Sequence, residues 1–232
     1  DRECIVFFQY AWYSYRSRSC AQNRTEPIYY EKYREVLMLY HGEIYRPPLE
    51  ADTLLLPVTE GCTHNSCAFC NMYKNVPFTM IPLDEFSRFV RDYARENGFY
   101  TKYIDRVYLV GGDPFALSAR HLLDRVKVIK EAFPNVETIT MYARVDNITH
   151  KSDEDLRTLR DAGIDDLYVG VECGDDTILK KMNKGYGTDD IRTQCLRLNA
   201  AGISHCDLMM FGTAGKGYAK EMGEASARRS EE

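Results

Sequence analysis

From residue 53 onward the apolar positions alternate between two rhythms, short runs of strand length and longer stretches with apolar residues three and four apart. The strand-like runs are Thr53 to Thr59, Arg106 to Val110, Thr138 to Tyr142, Leu167 to Val171 and Cys206 to Phe211. Between them the spacing predicts helices. Phe86, Phe89, Val90, Tyr93 and Ala94 form one stripe behind Asp84, and Leu122, Val126, Ile129 and Phe133 form another, opened by Ser118 and closed by Pro134. A third helix begins at the near capping box Ser152-x-x-Asp155 and stops at Gly163. Two short helices follow the fourth run, with caps at Asp176 and Thr188 and stops at Gly185 and Gly202. The last residues, Ala225 to Glu232, read as the middle of a helix.

Strand and helix alternating at about 30 residues per unit is the signature of a parallel α/β sheet or barrel. Chemistry in such folds gathers at the carboxyl ends of the strands. The segments to inspect are therefore Glu60 to Tyr73, Gly111 to Phe115, Ala143 to Asn147, Glu172 to Asp175 and Gly212 to Gly217. Residues 1–43 do not fit the repeat and are expected to be an extension, helical in part, with helical spacing at Tyr33, Val36, Leu37 and Tyr40.

Composition adds little until the cysteines are counted. The chain of 232 residues is 44% hydrophobic and 28% charged, a globular balance that excludes disordered and collagen-like classes. A net charge of -5 provides no general attraction to nucleic acid or an anionic membrane. The apolar stretch Cys4 to Phe8 is too short to cross a bilayer and carries no obvious cleavage site. Eight cysteines remain, and Cys62, Cys67 and Cys70 crowd into a C-x4-C-x2-C at the end of the first run. Such a cluster reads as a metal site in a reducing, cytoplasmic setting rather than as disulfides. Three thiolates can hold an iron-sulfur cluster with one iron left open, or zinc if His64 completes a Cys3His set. Cys173, Cys195 and Cys206 have no partners at metal spacing and read as packing residues, and His121, His150 and His205 form no pattern. The stretch Gly212 to Gly217 fails the order and spacing of a phosphate loop.

Taken with Gly111-Gly112-Asp113-Pro114 and Gly170-Val171-Glu172-Cys173-Gly174, the stretch Gly61 to Cys70 resembles the radical S-adenosylmethionine (SAM) superfamily over residues 44–217. The usual spacing there is C-x3-C-x2-C; the extra residue, Arg46-Pro47-Pro48 and Asn183-Lys184-Gly185 are similar to a bacterial subgroup. The resemblance implies a partial TIM-like (β/α) barrel in residues 44–232, truncated after strand five where members commonly have six units. It implies that Cys62, Cys67 and Cys70 hold a 4Fe-4S cluster, whose open iron binds SAM for reductive cleavage to a 5'-deoxyadenosyl radical. Phe69 would meet the adenine or plug the cluster. Gly111, Gly112, Asp113 and Pro114 would receive the SAM ammonium group, Glu172 the ribose, and Arg144 the SAM carboxylate or an acidic substrate. The plainer reading of the last two is a buried ion pair between Glu172 and a base such as Arg144. A reductant such as flavodoxin or ferredoxin is implied, the substrate is open, and neither a membrane nor nucleic acid is indicated. The rival to an enzyme is a non-catalytic zinc or iron-sulfur module that senses redox state or binds a partner.

Overall fold

The computed structural model describes residues 6–8, 43–213, 215 and 217–230. The expected helix over Tyr29 to His41 lies outside these residues. Strands β1 (Val6–Phe8), β2 (Leu54–Pro57), β5 (Arg106–Val110), β6 (Thr138–Ala143), β7 (Asp166–Glu172) and β8 (Ser204–Met210) form one sheet in the order β1-β8-β7-β6-β5-β2. Every pairing in it is parallel. Helices α1 (Leu83–Glu96), α2 (Ala119–Ala132), α3 (Val145–Thr149), α4 (Asp153–Asp161), α5 (Asp176–Lys181) and α6 (Thr188–Ala201) fill the crossovers, and α7 (Ala219–Ser230) follows β8. The result is a partial (β/α) barrel. The five expected strands are all present, and β1 adds a sixth beside β8, from the apolar stretch considered above for its length alone.

Local signals explain most boundaries. Ser118 accepts from the His121 N–H at the start of α2, and Ser152 and Asp155 complete a reciprocal capping box on α4. Two caps sit one residue earlier than expected. Asp175, rather than Asp176, accepts from the Ile178 N–H at the start of α5. Asp176 instead receives the Thr188 N–H, which leaves Gly187 as the cap of α6 and joins the two helix starts. The one-turn helix α3 had no signal in the apolar pattern, being shorter than two periods.

Each central strand is buried on both sides, as a parallel sheet requires. Val107, Leu109, Ile139, Met141, Leu167 and Val169 face the helices in the main core. Their neighbours turn into the barrel, where Tyr108, Tyr142 and Tyr168 from three adjacent strands meet edge to face at 5.7–6.3 Å. Beneath them lies a buried acid that the apolar pattern could not reveal. Glu50 accepts bonds from Arg106 Nη2 at 2.8 Å, Tyr168 Oη at 2.6 Å and Thr53 Oγ1 at 2.6 Å, and Arg106 also binds Asp166. Burial alone would raise the Glu50 carboxyl; the donors Arg106, Thr53 and Tyr168 overcome it and hold the group below its ordinary value. This network closes the amino-terminal end of the barrel.

Glu50→Ala should therefore lower stability by about 3 kcal/mol, because it strands Arg106 against Asp166 alone and leaves the Tyr168 hydroxyl unpaired. Urea unfolding checks it; an unchanged midpoint would show that the network is dispensable.

Candidate functional site

The cysteine loop starts where β2 ends. Thr59–Glu60 (β3) pairs antiparallel with Thr79–Met80 (β4), and this two-strand neck closes the loop of residues 61–78. Gly61 can turn at the neck because it has no side chain: at φ +71°, a Cβ would lie 2.6 Å from the Pro77 carbonyl oxygen. Between Cys62 and Cys67 the chain reverses through Asn65 at φ +44°, whose Nδ2 donates to the carbonyls of Tyr73 (2.7 Å) and Val76 (3.1 Å). The four-residue spacing is thus held by one stapled left-handed residue. All three thiols are free, Cys62 and Cys67 half-buried and Cys70 exposed.

Two other strand ends grip this loop. Asp113, fully buried after β5, accepts from Thr63 Oγ1 within the loop and from Asn147 Nδ2 on α3 at 2.6 Å. Its other oxygen has no partner among the described residues. Burial pushes its carboxyl up to about 7, against the opposing pull of Thr63 and Arg144. The glycines before it serve the same contact. A Cβ on Gly111 would sit 2.0 Å from Thr59 Oγ1, and one on Gly112 would sit 2.5 Å from the Gly61 oxygen, to which the Gly112 N–H donates at 3.1 Å. Pro114 is buried and opens the short turn Pro114–Ala116. From the other side, Asn183 accepts from His64 Nε2 at 2.5 Å and donates to the Ser66 carbonyl at 2.8 Å, while Ala68 N–H reaches the Met182 carbonyl.

The wall beside the cysteines is cationic and aromatic. Arg144 is buried, bound to both oxygens of Asp146 (2.9 and 3.0 Å) and to the Lys184 carbonyl, with Nη1 3.9 Å from Cys67 Sγ. The expected pairing of Glu172 with Arg144 is not what forms. Glu172 pairs with Lys184 at 3.0 Å, because Asp146 lies two residues from Arg144 and takes its fork first. Glu172 ends β7 at φ +68°, next to a register shift that turns the strand end. Burial alone would lower Lys184; Glu172, Tyr186 and Cys67 reverse that and hold it above its ordinary value. Its ammonium lies 5.7 Å from the Phe69 ring and 5.2 Å from that of Tyr186. Phe69, half-buried between two cysteines, packs against the main core.

Every site residue expected from the sequence therefore lies at the carboxyl end of a strand or on the segment that follows one. Asn147, Asp146, Lys184 and Tyr186 were missed, although Asp146 and Asn147 stood in the strand-end segment Ala143 to Asn147 and Lys184 in the Asn183-Lys184-Gly185 motif. The donor spacing tests what the cysteines suit. A tetrahedral zinc with Zn–S near 2.3 Å holds its sulfurs within about 4 Å of each other. Among the described residues, the one set of three His, Cys or carboxylate groups whose ligand atoms all lie within 4.8 Å is elsewhere, so the three thiols are spread wider than one zinc ion draws them. His64 spends its Nε2 on Asn183. Burial raises the Cys62 and Cys70 thiols, so metal binding there releases protons.

Comparison with known proteins accords with the geometry. The radical SAM superfamily matches residues 56–222, more than half of the chain, and the chain belongs to that superfamily. Its members use a 4Fe-4S cluster and SAM. Heme chaperone HemW of Bacillus subtilis (strain 168) is 27% identical over 111 residues, covering 47% of this chain and 29% of that protein. Its namesake in Lactococcus lactis is 26% identical over 145 residues, 62% of this chain and 37% of that protein. The chain thus spans about a third of these relatives' length. Among solved structures, the cobalamin-dependent SAM radical enzyme OxsB aligns with a TM-score of 0.61 at 17% identity, over 75% of this chain and 26% of that one. Coproporphyrinogen III oxidase (HemN) from Escherichia coli aligns with a TM-score of 0.58 at 17% identity, over 76% and 40%. These two show the fold.

Asp113 titrates above its ordinary value of 3.8, so the folded chain holds a proton that the unfolded chain releases. This contribution is most favourable below about pH 4 and is lost as pH rises through about 7. Asp113→Asn should flatten that decline, measured as urea midpoints at about pH 5 and about pH 8; parallel slopes in variant and parent would refute it.

Proposed function

We propose that this chain is the catalytic core of a radical SAM enzyme, in which Cys62, Cys67 and Cys70 hold a 4Fe-4S cluster and the surrounding loops bind SAM. The observation that carries this reading is the cysteine loop itself: three free thiols at the carboxyl end of a parallel strand, spaced wider than a single ion and clamped by Asp113 after β5 and Asn183 after α5. When bound, the cluster and SAM supply a 5'-deoxyadenosyl radical for hydrogen abstraction. The chain's residues bind and orient. Arg144, already neutralised by Asp146, presents its remaining Nη1 donor at Cys67, where it stabilises negative charge on the sulfur. The glycines Gly111 and Gly112 bring the turn after β5 against the cysteine loop and offer main-chain carbonyls to an ammonium group. Asp113 holds that turn in place from within rather than reaching the ligand, since it is wholly buried. Phe69 and Glu172 line the adenine and ribose end, with Lys184 holding Glu172 in place through their 3.0 Å ion pair.

Free thiols at a half-exposed site suit a reducing, cytoplasmic setting, and no described helix is long and apolar enough to cross a membrane. A small electron carrier such as flavodoxin or ferredoxin is the reductant this chemistry requires. The named HemW relatives support a second reading, in which the same core binds its cluster without turning over a substrate.

After anaerobic reconstitution with iron and sulfide, the parent chain should contain about four irons and release 5'-deoxyadenosine from SAM under reduction. Cys67→Ala should lose that release to background. Equal release from both would sink the cluster assignment, and a filled cluster without release would favour the binding reading.

A further inference from the structure

One group of ligand-type side chains lies apart from the cysteine loop. Cys195 on α6 and His205 and Asp207 on β8 place one ligand atom each within 4.8 Å of one another, all three half-buried. The juxtaposition follows from chain geometry. His205 and Asp207, two apart on a strand, share a face, and His205 Nδ1 lies 2.8 Å from Asp207 Oδ1. That face is the one toward the helices, because the alternating residues Cys206 and Leu208 pack on the barrel side. Gly202, at φ +77°, ends α6 in a left-handed turn, with the Gly202 and Ile203 N–H groups bonded back to Asn199 and Leu198. Six helical residues descend about 9 Å from Cys195 to Ala201, and three residues leading into and along β8 climb about 10 Å from Gly202 to His205. Cys195 and His205 thus come level on facing elements.

We propose that Cys195, His205 and Asp207 form a second metal site, a mononuclear zinc-class centre that fastens α6 to β8. The donor set selects the ion. A thiolate and an imidazole exclude magnesium and calcium, while sulfur, nitrogen and oxygen together suit zinc in a tetrahedron whose fourth position a water molecule fills. Ligand atoms bound at 2.0–2.3 Å lie about 3.3–3.8 Å apart in such a tetrahedron, so the present spacing needs adjustments on the order of 1 Å. Binding forms metal–sulfur, metal–nitrogen and metal–oxygen bonds and sends the Cys195 thiol proton to solvent, with no change of oxidation state. The plain alternative is a strand-borne His–Asp hydrogen bond beside an unconnected packing cysteine.

The test uses the full 232-residue chain carrying Cys62→Ala, Cys67→Ala and Cys70→Ala, which removes the cysteine loop from competition. Titrated anaerobically with Co2+, it should bind one equivalent with tetrahedral visible bands and a thiolate-to-cobalt charge-transfer band, both displaced by one equivalent of Zn2+. Adding Cys195→Ala should remove the charge-transfer band. His205→Gln should weaken binding by at least the ~10–100-fold that loss of an outer partner costs a metal site. Far-ultraviolet circular dichroism checks that each variant is folded. Should the triple variant not fold, the parent reconstituted with iron and sulfide is assayed for bound zinc, expected at one per chain and lost in Cys195→Ala. A missing charge-transfer band, a band that survives Cys195→Ala, or zinc unaffected by that substitution overturns the proposal.

Discussion

The carboxylate of Asp113 joins three strand ends that have no covalent reason to meet. Thr63 reaches it from the cysteine loop after β2, Asn147 reaches it from α3 after β6, and Asp113 itself belongs to the turn after β5. A wholly buried carboxylate with two donors on one oxygen and none on the other is costly. That cost is tolerated where the alternative is a loose loop around the cysteines. The glycines of the same turn act with it, giving the close approach to Thr59 and Gly61 that any side chain would block. The turn therefore shapes the cysteine loop.

The two ends of the barrel treat charge in opposite ways. At the amino-terminal end, Glu50, Arg106 and Asp166 form a closed network whose donors and acceptors answer one another. It plugs the barrel beneath the three edge-to-face tyrosines. At the carboxyl end, pairs are also formed, Arg144 with Asp146 and Lys184 with Glu172, but each leaves something over. Arg144 keeps a donor facing Cys67, and Lys184 lies over aromatic rings beside it. The closed charge network lies at one end and the cysteine loop at the other, the end where sites in parallel barrels gather.

Much of the architecture was legible in local signals. Ser118, Ser152 with Asp155, and Gly202 mark helix ends through bonds made within a few residues, and the structure puts them there. The caps of α5 and α6 were displaced by one residue because Asp176 serves a neighbouring helix, a contact between elements that no local pattern encodes. The grouping of three thiols was legible for the same local reason as the good caps: Cys62, Cys67 and Cys70 lie on one loop. The partner of Glu172 was not, because Arg144 and Lys184 are both plausible bases and the choice depends on Asp146 taking the first.

The amino-acid sequence by itself determined the alternation of strand and helix, the face each helix buries and the loop that carries three thiols, all of which rest on spacings of a few residues. Tertiary structure alone decided which charges pair, that Asp113 turns inward, and that β1 lies beside β8. It also brought Cys195, which reads as a packing residue, and His205, which fits no pattern in the sequence, within 4.8 Å of each other and of Asp207. The physical reason is common to all of these: their partners are supplied by other elements, and the parallel crossover brings those elements together only after the local pieces have formed.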